Sequence, residues 1–193
     1  KIKQGYQIPD RAEAINEFWF VQCNEEDWFK KDLEFDKEIK NKFLTDHKKA
    51  RAGDYNYWIT HPKDCLALIV LLDQFSRNMF RDLGKAFSQD KKVQSLSKYM
   101  IENNYFSEFS NNEIFFSLIP LIHSEEVNDH EIAHENCEKY LRQDDSYEQI
   151  RQSWNDHTKA IKKFGRYPHR NTILDRTSTK EEILFLTQPN SSW

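Results

Sequence analysis

The sequence predicts an all-α protein on three observations. Apolar residues recur at helical spacing along almost the whole chain, and no run of period-two alternation interrupts them. Glycine is scarce, at 4 of 193 residues, while aromatic side chains reach 14%. Few turn-formers and many bulky side chains suit long helices packed on one another. Antiparallel helix pairs joined by short loops bury that many apolar stripes economically, so a bundle or short helical solenoid is the expected architecture. No repeat of fixed period is visible, so the solenoid form does not follow from the pattern alone.

In chain order the expected helices are Arg11 to Val21, Trp28 to Arg51, Pro62 to Phe80, Asp90 to Asn103, Asn112 to Ile122, Asp129 to Arg142, Ser146 to Phe164 and Thr179 to Leu186. Punctuation supports the partition. Gly53, Gly84 and Gly165 each follow a helical stretch, where a left-handed residue stops the helix without a side-chain clash. Pro62 sits where a first turn tolerates it. Inside FFSLIPLIHSEE, Pro120 removes one hydrogen bond and is expected to kink or divide that helix just before His123. Ser178 followed by Glu181 reads as a capping box that starts the last helix.

Length fits one domain over residues 1–193, since no stretch reads as a linker. The formal net charge is -4 with Lys and Arg dispersed, which provides neither a stripe for a nucleic-acid backbone nor a polybasic arm for lipids. Neither a nucleic-acid nor a membrane partner is therefore expected. The longest apolar run, Leu66 to Leu72, is far short of the roughly 18 residues that span a bilayer, and the N-terminus lacks a signal-peptide core. Cys23, Cys65 and Cys137 are odd in number and far apart, which fits reduced thiols better than disulfides or paired zinc ligands. The expectation is a cytoplasmic protein without a metal or other cofactor.

The segment LALIVLLDQFSRNMFR, Leu66 to Arg81, begins as core and ends in charge. At 100° per residue, Asp73, Gln74, Arg77, Asn78 and Arg81 fall within an arc of about 140°. Leu66, Ala67, Val70 and Leu71 continue that face towards the N-terminus, so the helix starts buried and its polar end must look into the protein or into a cleft. Asp73 and Arg77, four residues apart, can pair on the helix. One reading is a structural network that ties helix ends together. The other is an anion site, with Arg77 or Arg81 as a forked donor oriented by Asp73 and Asn78.

Two further segments could converge there. Ile150, Trp154, His157, Ile161 and Phe164 form an inward stripe whose only polar member is His157, either a satisfied core residue or a catalyst. RYPHRN gathers Arg166, His169, Arg170 and Asn171 around Pro168, either an anion-binding loop or a plain surface loop. DHEIAHENC contains a literal HEXXH with His130 and His134 one turn apart. Its hydrophilic neighbours Asp129, Glu135, Asn136 and Glu138 instead suggest a solvated helix face, since a catalytic zinc lies in a dry cavity with a third protein ligand. No Walker loop, G-x-S-x-G elbow or G-x-G-x-x-G is present.

In LALIVLLDQFSRNMFR, with Ala86–Phe87 and Asp90 beyond it, the chain resembles the bacterial family called domain of unknown function 924. The resemblance extends in order through FWF at Phe18 to Phe20, WFKKD from Trp28, Phe35–Asp36, IHSEE from Ile122 and FGRYPHRN from Phe164. It implies a tetratricopeptide-like helical array and brings no established activity. The matching polar positions are Asp73, Gln74, Arg77, Asn78, Arg81, His123, Ser124, Glu125, His157, Arg166, His169, Arg170 and Asn171, with Gly165 and Pro168. Ser76 stands where the family tends to have Pro, and Asp175 where it tends to have Gly; the second puts the backbone path of the tail loop in doubt.

Two functions are weighed. The first is a pocket for a small anionic ligand, an active site being one form of it. There Gln74, Arg77, Asn78, Arg81, Arg166, Arg170 and Asn171 bind, and Asp73, His123, His157 and His169 supply chemistry near neutral pH. The second is an interaction scaffold for an unidentified protein partner, in which the polar cluster only supports the fold.

Overall fold

The computed structural model describes residues 10–193, and every regular element among them is helical. Residues 1–9, the stretch read above for a leader, lie outside the described residues. The first helix, α1 (Arg11–Glu17), is capped by the Asp10 carboxylate and runs into a π turn, Phe18–Gln22. The helix expected from Trp28 to Arg51 is two helices, α2 (Glu25–Phe29) and α3 (Leu33–Ala52). The reason is a second start signal. Lys30 is extended, and the Asp32 carboxylate accepts from the N–H groups of Glu34 and Phe35, which would otherwise have no intrahelical partner.

The greasy segment forms α4 (Pro62–Ile69), a π turn (Val70–Gln74) and α5 (Phe75–Met79) in one rod. Every residue from Cys65 to Ser76 is buried, which makes this rod the axis of the core. Phe75 is its aromatic hub, with ring centroids 4.9 Å from Phe43, 5.5 Å from Trp19 and 6.0 Å from Phe18. Around the axis, α1 packs on α4 and α3 on α5. Beyond them α6 (Asp90–Glu102) packs on α4 and the π turn, α7 (Asn111–Ile122), α8 (Val127–Leu141) and α9 (Tyr147–Phe164) pack each on its predecessor, and α10 (Lys180–Leu186) closes on the turn at Pro168–Arg170. No described helix is long and apolar enough to cross a membrane.

Several local expectations are corrected. Pro120 does not divide α7, which continues to Ile122; the one bond that an N–H at 120 would make to the Phe116 carbonyl is lost, and the His123 N–H still closes the turn on the Ile119 carbonyl at 3.0 Å. Gly53 (φ 94°) and Gly165 (φ 69°) are left-handed caps, but Gly84 is not. Asp82 takes the positive φ (61°) there, and Gly84 is needed for a different reason, since a Cβ on it would meet the Ile173 carbonyl oxygen at 3.3 Å. The capping box of the last helix is formed by Thr179 and Glu182, one residue later than expected. The HEIAH face is not solvated. His130 is fully buried, Asp129 and Asn136 are buried, and both imidazoles turn to the Thr158 hydroxyl, at 3.0 Å and 2.9 Å. Among the described residues, no group of three or more His, Cys, Asp or Glu side chains is arranged to hold a metal ion.

Candidate functional site

The π turn joins the apolar half of the axis to its polar end. Its Phe75 N–H bonds to the carbonyl of Val70 rather than to that of Leu71, so one extra residue is accommodated and the faces before and after it rotate relative to each other. The polar arc that follows the turn faces two neighbours, because it is wide enough to reach α3 from one edge and α6 from the other. Asn78 and Arg81 turn to α3, where Asp36 accepts from Asn78 Nδ2 at 2.7 Å and from Arg81 Nε and Nη2 at 2.5 and 2.7 Å. Asp73, Gln74 and Arg77 turn to α6 and the end of α7.

Asp73 is fully buried and saturated with donors. One oxygen accepts from Arg77 Nη1 at 2.7 Å and from His123 Nδ1 at 2.9 Å, the other from Gln74 Nε2 at 2.6 Å. A carboxylate only accepts, so His123 carries its proton on Nδ1 and presents the lone pair of Nε2. Burial would raise the Asp73 pKa, but the Arg77 and His123 charges and these hydrogen bonds outweigh it and hold the carboxyl down at about 2. His123 itself is lowered, first by burial and then by Arg77, against the pull of Asp73, and stays neutral at neutral pH.

Arg77 extends the network to the first residue of α6. Its Nη1 and Nη2 donate to the two oxygens of Asp90 at 3.1 and 3.2 Å, and Arg170 Nη1 reaches the same carboxylate at 3.4 Å. The Arg170 guanidinium lies over the Phe87 ring at 4.5 Å and over Tyr167 at 4.6 Å. It is 6% exposed, and its Nε has no partner. Burial and then the like charge of Arg77 push its pKa down, the reverse of Arg77, whose own neighbours Asp73 and Asp90 overcome burial and raise it. Two guanidiniums thus share the charge of Asp90, and Arg170 holds the weaker share.

Tyr167 gathers the remaining groups. Its hydroxyl donates to the Ile122 carbonyl at the end of α7, and its ring contacts His157 and His169 at centroid distances of 6.0 and 5.4 Å. His157 donates from Nδ1 to the Ser153 carbonyl at 2.8 Å and is covered by Trp193, stacked at 4.2 Å. Burial pushes His157 down to about 3 and His169 to about 4. The Nδ1 of His169 is buried without a partner. His123 and His169 both depress His157 by their charge, so the three imidazoles lie within electrostatic reach of one another.

Of the residues singled out in the sequence, Asp73, Gln74, Arg77, His123, His157, His169 and Arg170 therefore meet. Arg81 and Asn78 are committed to Asp36. Arg166 forms a fork with Glu182 at 2.7 and 2.8 Å, and Asn171 joins that pair by donating to Glu182 at 3.3 Å. RYPHRN is not a surface loop, since Tyr167, Pro168, Arg170 and Asn171 are buried. Sequence reasoning left Asp36, Asp90 and Tyr167 out of the site, although each lies inside a segment that carries the family resemblance. Nothing in the sequence marked Trp193. Asp175, the doubtful position, adopts φ 52°, the left-handed conformation that glycine would favour, so the loop keeps a glycine-type path.

A family model described as bacterial protein of unknown function (DUF924) matches residues 15–190. The chain belongs to the DUF924 family. A solved structure similar to this DUF924 protein is that of a protein of unknown function from Agrobacterium tumefaciens. It is 29% identical with a TM-score of 0.82, over 91% of this chain and 96% of that one. No curated protein matches this DUF924 chain.

Proposed function

We propose that this DUF924 protein binds a small anionic ligand, a carboxylate or phosphate, at the Arg170 guanidinium beside the Phe87 and Tyr167 rings. The observation that carries the reading is the state of Arg170: buried, held by a carboxylate only at 3.4 Å, with Nε unpartnered, next to the unpartnered Nδ1 of His169. A buried cation without a full counter-charge is costly, and a bound anion would supply both the charge and the missing acceptor. His169, neutral and half-buried, suits the role of a hydrogen-bond donor to the same ligand. Proton transfer at the site falls to His123. Its Nδ1 is held by the Asp73 carboxylate, which leaves Nε2 oriented in the manner of an acid–base dyad, whereas His157 Nδ1 is bound only to the Ser153 carbonyl and the Nδ1 of His169 has no partner. Arg81 and Arg166 belong to structural pairs and take no part.

Calorimetric titration with inorganic phosphate and a series of small carboxylates tests the proposal. At least one should bind, Arg170→Met should weaken that binding by about tenfold or more, and Arg170→Lys, which keeps the charge, should retain part of it. Equal binding by Arg170→Met, or no anion bound by the wild type, leaves the polar cluster with a structural role only. The tetratricopeptide-like scaffold reading is the less supported one, because it leaves the buried, weakly paired Arg170 guanidinium without a role. A bacterial cytoplasmic setting is part of the proposal, supported by Cys65 and Cys137, which lie buried as free thiols with pKa values raised by burial to about 12 and about 11.

A further inference from the structure

A concavity opens where His157 meets Trp154 and Trp193, and Arg170 is not part of its lining. It is a groove of about 420 Å³ between α2, α7 and α9, within the range of small-ligand pockets. Its walls are aromatic: Trp28, Phe29, Phe115, Trp154 and Trp193. Phe115 stacks on Trp154 at 5.8 Å and receives Phe29 edge-on at 6.2 Å, so the rings form one continuous surface. Phe29 and Trp193 are 61% and 41% exposed, a large apolar area left to water at the mouth.

The charge of the groove is of one sign. Its ionisable lining consists of Glu25, Asp144 and His157, with no Lys or Arg among the described residues. His157 is neutral at physiological pH. Asp144 is held by neutral donors, the Asn111 amide at 2.7 Å and the Ser146 N–H at 2.8 Å, so its charge is oriented but uncompensated. We infer that this groove binds an organic cation, an ammonium group carried on an apolar or aromatic body. Aromatic faces attract a cation through their quadrupoles, the carboxylates at the rim add direct Coulomb attraction, and the apolar walls take the body of the ligand. An anion would meet repulsion from two carboxylates, which separates this groove from the Arg170 site.

Titration of the full chain with benzyltrimethylammonium, its neutral isostere 2,2-dimethyl-1-phenylpropane and phenylacetate tests the inference, read by calorimetry and tryptophan fluorescence. The ammonium should bind at least about tenfold tighter than either analogue. Asp144→Asn, which keeps the size of the side chain, should weaken the ammonium about fivefold and leave the neutral compound unchanged. Arg170→Met should leave the ammonium titration as it is, so that failure of the anion site and failure of this one are read separately. Equal binding of cation and neutral isostere, preference for phenylacetate, loss of cation binding in Arg170→Met, or no cation binding at about 5 mM would each overturn the inference.

Discussion

The titrating residues of the site give the molecule a definite acid response. Asp73, held at about 2, and Glu182, held at about 2 by its Arg166 hydrogen bonds against burial, have folded values below those of an unfolded chain. Their contribution is complete above the unfolded carboxylate pKa and is lost as the pH falls through about 2. The histidines of the site act earlier. His157 and His169 are neutral in the fold, while an unfolded chain binds their protons below about 6.5, so stability falls as the pH drops from about 6.5 towards 4. The slope is at most about 1.4 kcal/mol per pH unit for each. Urea denaturation across that window should show it, and His157→Gln with His169→Gln should reduce the slope, the rest coming from His47, which burial lowers to about 4; an unchanged slope would sink this assignment. Asp175 offers a test of opposite sign. Asp175→Gly should stabilise the fold by about 0.5 kcal/mol, because glycine adopts φ 52° without a Cβ penalty. A loss on urea denaturation would count against it.

Among the elements, α10 is the one most dependent on polar contacts. Glu182 closes the capping box with Thr179, pairs with Arg166 and accepts from Asn171. Thr179→Ala should cost about 1 kcal/mol and speed hydrogen exchange in α10 ahead of the other helices. Unchanged exchange there would mean that packing rather than the cap holds the helix. Arg77→Met should cost more, roughly 3–5 kcal/mol, because it leaves Asp73 buried with an uncompensated charge. The same elements mark the limit of sequence reasoning. Helix ends governed by local chemistry were legible: Gly53, Gly165, Pro62 and the apolar periods from Asp90 to Phe164. The partner of Asn78 and Arg81 is Asp36, more than 40 residues away on α3, and helical spacing within one segment cannot show which neighbouring helix each edge of a polar arc will meet. His130 misled for a related reason. Its partners, the Ser124 carbonyl and Thr158, come from outside its helix, and hydrophilic sequence neighbours say nothing of them.

For the whole molecule, the helical rod from Pro62 to Met79 is both the core axis and the carrier of Asp73 and Arg77, so stability and site geometry share one support. Phe75→Ala removes the ring on which Phe18, Trp19 and Phe43 converge and should cost about 3–5 kcal/mol, a large part of the stability of an ordinary domain. The midpoint of urea denaturation checks it; a cost below about 1 kcal/mol would mean that the neighbouring rings close the gap. Tyr167 carries a different consequence. Its hydroxyl satisfies a carbonyl of α7 from 45 residues further along the chain. A growing polypeptide therefore releases α7 with that terminal carbonyl still reaching for water, and the helix end is finished only after α8 and α9 have been made and the chain has turned back at Gly165. The seam between Ile122 and Tyr167 is thus a late stitch in assembly, and local unfolding that starts there would open the catalytic-looking corner while leaving the axis intact.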